Sequence, residues 1–153
     1  MVNTKLFITL LSFAVLLISM QLLSGVWLFI EKFGINPSEV YLYFHGNEKE
    51  FIMPKSFEGL LETAVPHFMA ISTTIFVYAH FLLFTKVISQ NKKFILIFLL
   101  FLSASIDIFS PLGIIYGYMS FAYLKVISFW SFEILMSLLL GILVYAGLQV
   151  KKD

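Results

Sequence analysis

The sequence predicts an all-α fold: an integral membrane four-helix bundle with a short amphipathic segment in the first outer loop. Three observations carry this. The chain is 60% hydrophobic and 12% charged over 153 residues, with a mean hydropathy of +0.96, whereas a soluble domain carries about 25% charge. Four apolar runs each exceed the roughly 20 residues needed to cross about 30 Å of hydrocarbon. The runs are continuous rather than alternating, which excludes the strands of a barrel. Water cannot cover so much apolar surface, so the lipid bilayer is the first partner.

The first run, residues 6–30, follows Lys5 as the core of a signal peptide follows its basic segment. It is longer than the about 7–15 residues of such a core. Neither Ser19-Met20-Gln21 nor Ser24-Gly25-Val26 makes a good cleavage site, so a retained helix over 5–31 is expected. The outer loop, 32–57, is the one sizeable polar connection. Within it Pro37-Ser38-Glu39 reads as a helix start, with proline at the first helical position. Val40 to His45 then predicts a short amphipathic helix at the interface, with Tyr41, Tyr43 and Phe44 at headgroup level. Gly46-Asn47 ends it, and Ser56 is placed to cap the second span.

The second, third and fourth spans are expected over 58–86, 93–116 and 121–149. A short connection makes the second and third antiparallel neighbours. Residues 1–153 read as a single transmembrane domain without internal repeats. Orientation follows the lysines near the helix ends. Lys5, Lys86, Lys92, Lys93, Lys151 and Lys152 lie on one side in short segments. Lys32, Lys49, Lys55 and Lys125 lie on the other, mixed with five glutamates, Glu31, Glu39, Glu48, Glu50 and Glu58. The first side is therefore expected to be cytoplasmic, with both termini inside.

Composition also excludes. There is no arginine, the residue whose planar fork usually reads phosphate, so nucleic acid is not an expected partner. With no cysteine there are no disulfides, thiolate metal sites or thiol redox chemistry. No Gly-rich phosphate loop, nucleophile elbow or His-Glu-x-x-His zinc motif is present.

The informative residues are those that lipid cannot solvate: Gln21, His67, His80, Asp107 and Glu133, with Glu62 near the mouth of the second span. A charge at mid-membrane costs about 2.5–3.5 kcal/mol on insertion scales and normally turns inward to a partner. Counting from the expected span ends, Gln21, His67, Asp107 and Glu133 each fall about 10–14 Å below the outer boundary. One polar side chain per helix at one level predicts a shared site. His67, Asp107 and Glu133 together can hold a transition metal, or His67 can serve as an axial ligand tuned by the acids. His80, thirteen residues further along the same helix, suggests the paired histidines of membrane b-type cytochromes. At about 100° per residue, however, the two rings are about 140° apart around the axis. His45, in Tyr43-Phe44-His45-Gly46, is a further candidate if it folds down to Glu62 or His67. The aromatics Tyr78, Tyr116, Tyr118, Tyr123 and Trp130 are candidates for lining a cofactor pocket.

Phe51-Ile52-Met53-Pro54-Lys55-Ser56-Phe57-Glu58-Gly59-Leu60-Leu61-Glu62, then Pro66-His67 and Ala79-His80, resembles a group of small four-span bacterial membrane proteins without an assigned function. The resemblance covers about a third of the chain. It implies a bacterial inner-membrane location. Three functions remain open on these residues. One is a redox-type protein binding a b-type haem or a transition metal through His67 and His80, linked to quinol. Another is a non-catalytic accessory or assembly subunit of a larger membrane complex or homodimer. The third is a proton or ion pathway through Asp107, Glu133 and His67.

Overall fold

The computed structural model describes residues 4–149 and contains five α-helices with a short 3-10 turn. The helices are α1 (Thr4–Phe33), α2 (Pro37–His45), α3 (Phe57–Phe84), α4 (Gln90–Ile115) and α5 (Met119–Gln149). All but α2 are long and apolar enough to cross a membrane. The protein is a multi-pass, all-α membrane bundle. Lys151 and Lys152, counted above among the inner charges, lie outside the described residues, as does the side chain of Lys5.

α1 ends where Gly34 takes a φ of +74°, a left-handed position that only glycine adopts readily. Its N–H reaches the Ile30 carbonyl at 2.9 Å, and a side chain there would run into the Glu39 carboxylate. That carboxylate faces backwards over the start of α2. It accepts from the backbone N–H of Ile35 (3.1 Å) and Asn36 (3.3 Å) and from the Asn36 amide (3.2 Å). These bonds satisfy donors a helix start leaves open, and the Asn36 contacts hold the Glu39 carboxyl below its ordinary range.

The sequence expects Phe44 at headgroup level, but it is 5% exposed. α2 is nine residues long, and Val40 and Phe44 share a face one turn apart. That face packs onto Phe29, Leu60, Ile114, Ala122 and Phe129. α2 therefore plugs one end of the bundle instead of floating beside it. Ser56 caps α3 as expected, its Oγ accepting from Gly59 N at 3.1 Å.

α4 and α5 form the most extensive helix pair, α3 leans chiefly on α4, and α1 touches only α5 and α2. Two apolar clusters result. One lies under α2. The other fills the far half with Ile75, Leu82, Leu96, Leu100, Met136, Leu139 and Leu143. At the far end Lys93 is 2% exposed. Its Nζ donates to the carbonyls of Leu83 (3.0 Å) and Thr85 (2.6 Å). A lysine counted above as an interfacial charge thus closes the carbonyl end of α3, where a cation also meets the favourable end of the helix dipole.

Candidate functional site

Between the two apolar clusters runs a belt of polar side chains across the α4–α5 interface. From α4 come Ser103, Asp107 and Ser110, spaced four and three residues apart and therefore on one face. From α5 come Lys125, Ser128 and Glu133. All but Asp107 are buried, and the Asp107 side chain is only 16% exposed. The serines stay local: the hydroxyls of Ser103, Ser110 and Ser128 each donate to the carbonyl three residues back. The charged groups cross between helices. Lys125 Nζ donates to Asp107 Oδ1 at 2.8 Å and to the Asp107 carbonyl at 2.9 Å, and it lies 5.8 Å from the centroid of the Phe33 ring. A charge-assisted pair with a second bond to backbone fixes both partners in place.

Glu133 is 7% exposed and lies about 21 Å along α5 from Met119. Its Oε2 is buried without a hydrogen-bond partner, and Asp107 is its charged neighbour. Oε1 lies 3.2 Å from where a Cβ on Gly25 would stand. Glycine is thus what lets α1 come down onto the carboxyl. One turn further along, the rings of Phe29 and Phe129 stack at 3.9 Å and 10°.

The remaining predicted site residues lie apart from this belt. His67 faces lipid, and its Nδ1 is 2.9 Å from the Thr63 carbonyl, a bond to its own helix next to Pro66. His67 is not brought to Asp107 and Glu133, because its side chain lies on the exposed face of α3 and turns back to that helix. His80 also faces lipid, among Phe76, Phe81 and Phe84. Among the described residues no group of three or more His, Asp or Glu side chains converges as a metal site. The expected ligand set of His67, Asp107 and Glu133 is therefore not assembled.

His45 is half-buried at the end of α2. Its ring lies against Tyr41 at 4.8 Å and beside Gly117 of the α4–α5 turn, with no hydrogen bond to Glu62 or His67. Glu62 is exposed. Tyr116, Tyr118 and Tyr123 face outward, and Trp130 meets Phe129 edge-on at 5.6 Å. Gln21 is exposed too. It lines a groove of about 790 Å³ between α1 and α3, opposite Pro66, Met69, Ala70, Thr73, Thr74, Val77 and Tyr78.

Residues 34–153 match the family Aq_1264_TM, described as a transmembrane helical domain. The chain belongs to this family. The matched span of the Aq_1264_TM domain opens at Gly34, the residue that ends α1, and takes in α2 to α5 with Asp107, Lys125 and Glu133. No curated protein and no solved structure matches the sequence.

The residue missed in sequence is Lys125. Counting the fourth span from Phe121 or Val126 puts it in the mouth of the helix with the interfacial charges. α5 starts at Met119, which carries Lys125 nearly two turns inside. A usable signal was present: Asp107 and Lys125 lie ten residues before and eight after Gly117, so an antiparallel hairpin turning there brings them level.

Proposed function

We propose that this protein is a non-catalytic assembly subunit, which binds a further transmembrane helix along α1 in the groove beside α3. The observation that carries this reading is Gln21. Its amide lies about 15 Å below Glu31 along α1, at a depth where lipid offers no hydrogen-bond partner. Interhelical bonds from Gln and similar side chains are a main attraction between membrane helices. An amide is also self-complementary, since each carries both donor and acceptor. A second copy of the chain, related by a two-fold axis, therefore supplies what Gln21 lacks.

The stripe around Gln21 fits the same occupant. Leu10, Ala14, Leu17, Gln21, Ser24 and Leu28 alternate by four and three residues, the spacing of a helix–helix seam. Leu10, Leu17 and Leu28 are all more than half exposed. Across the groove, Ala70, Thr73 and Thr74 are small enough for a helix to approach closely.

The absence of native cysteine allows a clean test. Single cysteines at Leu17, Gln21, Ser24 and Leu28, oxidised in native membranes, are expected to give cross-linked dimers. Cysteines at Ile18 and Phe29, which face α5, are expected to give none. Monomers at every position would overturn homodimerisation.

A further inference from the structure

We infer that the Asp107–Lys125–Glu133 cluster is a proton-binding site, and that its proton governs how closely α1 packs on α5. The first support is a charge count. Two carboxyls face one ammonium, and Lys125 is already committed to Asp107 by two bonds. The cluster is neutral only with one proton on its two acids. Without it, one negative charge is stranded among apolar side chains, which a low-dielectric interior opposes strongly.

Geometry places the proton. Both oxygens of Asp107 belong to a carboxyl anchored on Lys125, whereas Glu133 is more than nine-tenths buried with Oε2 unpartnered. A protonated Glu133 leaves no charge to hydrate and can rest against Gly25. An ionised Glu133 draws water, and the elements around it differ in how they can respond. α4 offers Asp107, a like charge, and α5 offers Lys125, already engaged. α1 offers the Gly25 backbone, and its nearest charges, Glu31 and Lys32, lie about two turns away. α4 and α5 are stapled together by the ion pair, whereas α1 meets α5 on either side of Glu133 through Leu22, the Gly25 backbone, the Phe29 ring stack and the Phe33 ring. The helix that yields is therefore α1. The far apolar cluster consists of hydrophobic side chains, with Tyr78 packed against it. The site stores a proton and switches a contact.

The test uses the full chain reconstituted in lipid. Infrared titration is expected to show one buried carboxyl per chain that loses its proton as pH rises. Glu133→Gln removes that band. Spin labels at Trp27→Cys on α1 and Ile134→Cys on α5, both exposed positions, are expected to move apart as the band disappears. In the Glu133→Gln background their separation is expected to stay fixed. A band that survives Glu133→Gln, no buried protonated carboxyl at any pH, or a separation that ignores pH in the otherwise native chain would each overturn the inference.

Discussion

The α4–α5 hairpin and α1 are built from similar residues, yet they are held in different ways. The hairpin holds a lysine, two acids and three serines at its interface, all buried except the partly covered Asp107. α1 meets α5 through contacts such as the Gly25 approach to Glu133 and the Phe29–Phe129 ring stack, and leaves Leu10, Phe13, Leu17 and Leu23 at least 60% exposed. In water, so much apolar surface would collapse onto the core. In a bilayer, lipid tails satisfy it equally well, and helices attract through close packing and polar bonds instead. Where the polar bonds are internal, as at Asp107–Lys125, the helices are fixed to each other. Where the polar group is left facing out, as at Gln21, it is the proposed second chain that supplies the bond.

The largest expected effect breaks the hairpin side of this contrast. Lys125→Ala leaves Asp107 and Glu133 without their cation and is expected to lower stability by about 3–5 kcal/mol, read as a fall in unfolding midpoint in detergent or lipid. Replacing both partners, Asp107→Leu with Lys125→Met, is expected to recover most of that loss, because an apolar pair of similar size carries no stranded charge. A double variant as unstable as the single would mean that the pair does more than staple two helices.

A middle-sized effect separates α1 from the rest. Gly25→Leu puts a side chain where Glu133 now lies, and overpacking of this kind costs about 1–3 kcal/mol. It is expected to raise hydrogen exchange in α1 while leaving α4 and α5 protected. A local effect comes from α2. The Glu39 carboxyl is held below its ordinary 4.5 by Asn36, so its contribution is complete above about that value and is lost as pH falls through the lower, folded value. Exchange at α2 amides is expected to rise in acid, and Glu39→Gln to remove that dependence. The smallest effect is at His67, which touches lipid and its own helix: His67→Ala is expected to stay within about 0.5 kcal/mol of the parent.

These contrasts also explain what could be read from the sequence. Long apolar runs state the bundle directly, because bilayer thickness leaves no other solution for them. Asp107 and Glu133 are legible as inward residues, since hydrocarbon excludes them. Whether His67 joins them is not legible: depth along a helix says nothing of which face a side chain takes, and His67 is on the exposed face of α3. Lys125 hides for a related reason. A lysine near a span end is ordinarily an interfacial anchor, and only the start of α5 at Met119 and the turn at Gly117 reveal that it points inward. Phe44 is likewise disguised, as an interfacial aromatic that turns out to be a plug.

The proposed dimer needs α1 to be an arm open to a second chain. Counting labelled chains per particle by single-molecule photobleaching in dilute lipid vesicles tests this most directly. Two per particle are expected for the parent chain and one for Gln21→Leu. Single chains for the parent at every protein-to-lipid ratio, or pairs that persist unchanged in Gln21→Leu, would contradict it.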